Sequence, residues 1–100
     1  MEVRFRTRHL EQCYLEFRLA SREFGAGVAR RYIHRIQIVG NTRTVDELRR
    51  LPVLKFHPLT GALDGQYAIS LTGFYRLIVT LEGTDLQVVC IERVSKHYGD

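Results

Sequence analysis

Two histidines and an arginine set the chemical question. His57 stands in FHPLTG (56–61), Arg76 in GFYRLIV (73–79) and His97 in the terminal run SKHYGD (95–100). Histidine takes or gives a proton near neutral pH, and the planar fork of Arg suits a phosphate. His57 is read either as an acid or base at the edge of a concave surface, or as a loop histidine beside Pro58, Gly61 and Gly65. Around Arg76, Tyr75, Leu77, Val79 and Leu81 form an apolar row. Arg76 falls on the opposite side with Phe74, Ile78 and Thr80, facing either a groove or solvent. Other chemistries are poorly supplied. His9 and His34 lie among Arg and Gln on predicted helices and read as solvated. No HxxxH or HxH pair, carboxylate cluster, phosphate-cradling GxxxxGK[ST] or nucleophile elbow occurs, so neither a metal nor a cofactor is expected.

The elements that must position these residues differ between the two halves of the chain. Residues 2–6 alternate, with Val3 and Phe5 on one side, as a short strand does. Leu10, Cys13, Tyr14, Phe17, Ala20 and Phe24 recur at helical steps, and Gly25 and Gly27 bracket the end of that stripe. Val28, Tyr32, Ile33, Ile36 and Val39 predict a second helix, stopped by Gly40-Asn41. Thr44-Val45-Asp46-Glu47 is a capping-box pattern, opening a short helix to about Arg50. Leu54 and Phe56 predict a strand leading into His57. Thr72-Gly73 predicts a two-residue turn between strands at 66–71 and 74–81, a register that sets Arg76 opposite Ile69 unless a bulge intervenes. The last strand is expected at 86–94. The order predicts one α+β domain over residues 1–100, with an N-terminal strand and two to three helices packed on a twisted, mainly antiparallel sheet.

Composition narrows the class. One hundred residues can bury a core without staples. With 45% apolar and 26% charged residues, disorder is not expected. No apolar run reaches bilayer length, and MEVRFRTRHLEQ is too polar for a secretory signal, so no membrane association and a cytoplasmic location are expected. Cys13 and Cys90 are read as free thiols. The net charge is +4, and Arg outnumbers Lys thirteen to two. Such a balance is compatible with a polyanionic partner.

The motifs carry a resemblance. His57-Pro58-Leu59 with Gly61, then Gly65-Gln66-Tyr67-Ala68-Ile69, then Tyr75-Arg76 and a tail containing His97, closely resemble the HigB-type plasmid-maintenance killer proteins. These are a branch of the RelE/ParE toxin superfamily. The resemblance is strong over about residues 50–100 and extends to the helical half by layout.

It implies a RelE-like toxin that enters the ribosomal A site and cuts messenger RNA. Such a toxin is held inactive by a helix-turn-helix, HigA-like antitoxin and meets operator DNA only through it. The chemistry implied is metal-free attack of the substrate's 2′-hydroxyl on the adjacent phosphate. It requires a base, a cation for the phosphoryl oxygens and an acid for the leaving oxygen. The resemblance assigns His57 to proton transfer, Arg76 to the phosphate and His97 to completing the catalytic set. Lys55, Tyr75, Arg93, Lys96 and Tyr98 are the expected RNA contacts, with Tyr75 or Tyr98 stacking on a base. Two departures matter. Thr60 stands where many relatives carry Lys, with Lys55 or Lys96 available to compensate. The tail places Val94-Ser95-Lys96 ahead of His97 where many relatives end in Asp-Tyr-His. The alternatives are a non-enzymatic poison of DNA gyrase, as in the ParE branch, or an inactive member that only binds its antitoxin.

Overall fold

The computed structural model describes residues 1–96. Strand β1 (Glu2–Phe5) is followed by α1 (Arg8–Leu15), α2 (Phe17–Phe24), α3 (Ala26–Asn41) and α4 (Val45–Arg50). Then come β2 (His57–Pro58), a 3-10 turn (Gly61–Leu63), β3 (Tyr67–Ser70), β4 (Tyr75–Glu82) and β5 (Val88–Lys96). The five strands make one sheet in the order β1-β5-β4-β3-β2. Only β1 and β5 run parallel; the other pairs are antiparallel.

Helices α1 and α4 start where a side chain satisfies one of their first amides. Thr7 Oγ1 accepts from the Leu10 amide at 3.2 Å, opening α1. Thr44 Oγ1 accepts from the Glu47 amide at 3.1 Å, opening α4. The capping box is closed one residue early, because Glu47 Oε2 accepts from the Arg43 amide at 2.9 Å. The first predicted helix is two. Glu16 is extended (φ −129°, ψ 104°) and redirects the chain, so that α2 packs on α3 with the Phe24 and Tyr32 rings 5.1 Å apart. Gly25 takes φ 86° between α2 and α3, a conformation that costs glycine little.

The helices cover one face of the sheet. Tyr32, Ile36 and Val39 of α3 and Leu48 of α4 are buried with Ile69, Leu77, Val79, Val89 and Ile91. Tyr32 Oη is also satisfied, donating to the Leu10 carbonyl at 2.8 Å. Cys13 and Cys90 are buried and free. Burial raises both thiols above the usual range. No helix among the described residues is long and apolar enough to cross a membrane.

The expected strand at Leu54–Phe56 is instead a pair of tight turns. The Leu54 and Lys55 amides donate to the Leu51 and Pro52 carbonyls, and Lys55 takes the left-handed φ of 46°. The turns keep Leu54 and Phe56 buried while pairing with β3 is confined to His57 and Pro58. The last strand begins and ends two residues later than expected, because the turn before it extends through Leu86 at φ 54°.

Candidate functional site

The predicted two-residue turn between β3 and β4 is in fact a four-residue loop, 71–74, tied by its own hydrogen bonds. The Leu71 and Thr72 amides both donate to the Tyr75 carbonyl at 3.0 Å. Thr72 Oγ1 accepts from the Phe74 amide at 3.2 Å and the Tyr75 amide at 3.1 Å. This loop sets Ser70 opposite Arg76 and Ile69 opposite Leu77, one residue from the expected pairing. A one-residue slip exchanges the faces of a strand, and here it resolves the misfit of Arg76 opposite Ile69. Ile69 joins the main core with Leu77, and Arg76 shares the helix-free face with Ser70.

On that helix-free face the register lines up two rows, since directly opposed residues share a face. One row runs His57, Ala68, Ile78, Arg93, and the next runs Ser70, Arg76, Ser95. Leu59 and Leu63 pack on the buried Ala68 and Ile78, forming a small second core beside His57. Between the rows opens a concavity of about 240 Å³ lined by Lys55, His57, Ala68, Ser70, Thr72, Gly73, Tyr75 and Arg76. No carboxylate lines it among the described residues.

The turn at Lys55 matters to the chemistry. Its carbonyl lies 2.8 Å from His57 Nδ1. A carbonyl only accepts, so Nδ1 carries the hydrogen and the neutral ring keeps its lone pair on Nε2. Arg76 is half-buried, and its Nε is buried without a hydrogen-bond partner among the described residues. An unmet buried donor on a cation is unfavourable until an acceptor arrives. The pair therefore offers a lone pair for a proton and a donor fork for an anion.

The concavity thus brings together His57, Arg76, Lys55 and Tyr75. Tyr75 lines its rim but packs its ring against the main core, with Lys96 Nζ over the ring at 5.8 Å. Arg93 is exposed on the same face but outside the lining, three strand spacings or about 14 Å along its row from His57. Thr60 is exposed and outside the lining too. His97 and Tyr98 lie outside the described residues. Among the described residues no group of three or more His, Cys, Asp or Glu gathers as a metal site.

Two supporting residues escaped the sequence reading. Arg31 Nη1 donates to the Leu71 carbonyl at 3.0 Å, and Arg35 Nε donates to the Ser70 carbonyl at 3.1 Å. Arg35 is only 9% exposed, and Nη1 also donates to His34 Nδ1 at 2.9 Å. Burial, then the nearby Arg31, lowers the pKa of its guanidinium. The signal was available: Arg35 falls on the inward stripe Tyr32–Ile36–Val39, where a cation must have a partner.

Several solved structures share this architecture. A YoeB/ParE toxin from Agrobacterium tumefaciens matches with a TM-score of 0.60 and 18% identity, covering 98% of this chain and 100% of that one. YafQ from E. coli strain BL21(DE3) matches at 0.60 and 17% identity over 98% of each chain. A chain of the YoeB–YefM complex from Staphylococcus aureus matches at 0.61 and 14% identity, again over 98% of each. The chain therefore has the RelE-like α+β toxin fold. Neither a family model nor a curated protein matches the sequence.

Proposed function

We propose that this chain is the HigB-type toxin of a type II toxin–antitoxin pair, a ribosome-dependent endoribonuclease that stops translation by cutting messenger RNA in the cytoplasm. The observation that carries the proposal is the concavity in which His57, with Nε2 left as acceptor, sits beside Arg76, whose donor is unmet and whose surroundings hold no carboxylate among the described residues. That combination suits phosphodiester transfer to the substrate's own 2′-hydroxyl. His57 Nε2 takes the 2′-hydroxyl proton as the 2′-oxygen bonds to phosphorus. The bond from phosphorus to the 5′-oxygen breaks, leaving a 2′,3′-cyclic phosphate and a 5′-hydroxyl. Arg76 holds the phosphoryl oxygens as charge grows on them, and Lys55 adds a second cation at the rim. His97 is assigned the proton for the leaving oxygen. Arg93, Lys96, Tyr75 and Tyr98 are assigned to the flanking RNA.

No metal or cofactor enters this scheme. The partner is a helix-turn-helix, HigA-like antitoxin that masks the site and carries the complex to operator DNA. The Staphylococcus aureus match, a chain of the YoeB–YefM complex, supports an antitoxin partner.

Expression without a partner is expected to arrest growth, with primer extension showing messages cut inside translated codons. Cutting should need ribosomes, since a site with few catalytic groups gains most from a substrate held ready for attack. Efficient cutting of naked RNA would overturn the ribosome requirement. Supercoiling defects with intact messages would replace the proposal by the gyrase-poison alternative, and neither effect would leave an inactive antitoxin-binding member.

A further inference from the structure

Phe74 is 64% exposed, although a large aromatic side chain normally turns inward. It is not on a loose loop. The Thr72 hydroxyl holds its amide, the Leu71 and Thr72 amides close on the Tyr75 carbonyl, and Arg31 grips the Leu71 carbonyl from α3. The backbone that presents Phe74 is thus tied from both sides of the loop.

Its neighbours Gly73 and Tyr75 line the concavity, whereas Phe74 itself stands beyond the lining. Among the described residues the other exposed large apolar side chains are Leu15, Phe17, Val53 and Leu86; none lines the concavity, and only Val53, two residues before Lys55, lies near a lining residue in sequence. The surface beside Phe74 is cationic, with Lys55 and Arg76 in the concavity and Lys96 opposite Tyr75.

We propose that Phe74 is a base-stacking platform, taking the nucleobase next to the phosphate held by Arg76. This rests on the RNA-cutting reading of the site and adds a residue and a subsite to it. A cation places the backbone, and a flat apolar face beside it takes the adjoining base. Because the loop is already ordered, the ring is presented with little conformational freedom left to lose. Stacking tolerates any base, so the subsite contributes affinity and placement rather than strict sequence choice. It also supplies the aromatic face expected of Tyr75, whose ring is engaged with the core and Lys96.

The test uses the full chain and a message carrying 2-aminopurine at successive positions of the A-site codon. Deoxyribose there removes the 2′-nucleophile and prevents cutting. The wild-type protein and F74Y are expected to quench one position on programmed ribosomes. F74L should lose that quench and bind roughly tenfold more weakly, while melting like the wild type because the side chain is exposed. Equal quench and affinity for F74L and wild type would overturn the inference, as would no quench by the wild type on programmed ribosomes or a free oligonucleotide. So would an unchanged RNA affinity in F74L with loss of a protein self-contact. A parallel all-ribose message separates the two proposals. Cutting with no Phe74-dependent quench keeps the nuclease and removes the platform; quench without cutting keeps the platform and removes the nuclease.

Discussion

His57 has one ring nitrogen committed to the Lys55 carbonyl and the other left to accept. Arg76 carries a buried donor with no hydrogen-bond partner among the described residues. These two roles are separable by mutation. Arg76→Ala is expected to slow cutting by about 10²–10³-fold, the usual loss when a donor to developing charge is removed. Arg76→Lys should recover only part of that, since a point charge does not replace a bidentate fork. His57→Ala should reduce the rate of the bond-forming step while leaving ribosome binding near wild type. Single-turnover cleavage and a ribosome pelleting assay separate the two effects. Wild-type cutting by either folded alanine variant removes that residue from the site. The tail tests similarly: His97→Gln keeps a polar side chain of similar reach but no titratable group, and wild-type cutting by it would exclude His97 from catalysis.

At the scale of elements, the site depends on a strand end clasped from two directions. The Ser70 amide donates to the Leu54 carbonyl at 2.8 Å, and its carbonyl accepts from Arg35. Ser70 in turn pairs with Arg76, so one residue links the Lys55 turn, the helix layer and strand β4. Arg35→Met keeps an apolar stem but withdraws the donor from the Ser70 carbonyl. It should cost about 1–2 kcal/mol of stability and slow cutting, read by urea midpoint and cleavage rate. A variant matching the wild type in both would show that the clasp does not position the site. The sequence showed the alternation that exposes Arg76 on one face of β4, the stripe of α3 and the Thr44 cap, because these follow from periods and local hydrogen bonds. It could not show that Thr72 folds a four-residue loop, since Thr72-Gly73 fits a shorter turn equally well until the Tyr75 carbonyl is seen accepting two amides. The break at Glu16 was hidden for a related reason: Leu10 to Phe24 keeps helical spacing across it, and only packing against α3 reveals the redirected chain. Of the site, His57, Arg76 and Lys55 were legible as residues, but the carbonyl that sets the His57 tautomer depends on a left-handed turn at a lysine.

At the scale of the whole molecule, the helix-free face carries a second polar cluster that ties the β1 edge of the sheet to β5 and β4. Arg6, the residue after β1, reaches Glu92 of β5 at 2.8 Å and Glu82 of β4 at 3.4 Å, while Thr80 donates to Glu92 at 2.6 Å. Glu92 occupies the irregularity in the β4–β5 register, where Ile78 pairs with Arg93 and Val79 with Ile91. The cluster thus fastens the parallel β1 strand across the point where the antiparallel ladder is interrupted. The hydrogen bond from Arg6 is the largest cause holding the Glu92 carboxyl down to about 2; burial opposes it, and Thr80 adds to it. A carboxyl with a depressed folded-state pKa stabilises the fold above its ordinary value of 4.5, and that contribution fades as pH falls toward 2. Glu92→Gln is therefore expected to cost about 1–2 kcal/mol at pH 7, discounted because Arg6 is half-exposed. The difference from wild type should shrink below pH 4.5 and vanish near pH 2. Urea unfolding of both proteins at pH 7, 4 and 2.5 follows it. A loss that stays constant across that range would assign the effect to packing rather than charge, and no loss at pH 7 would show that the β1 edge is held by its backbone ladder alone.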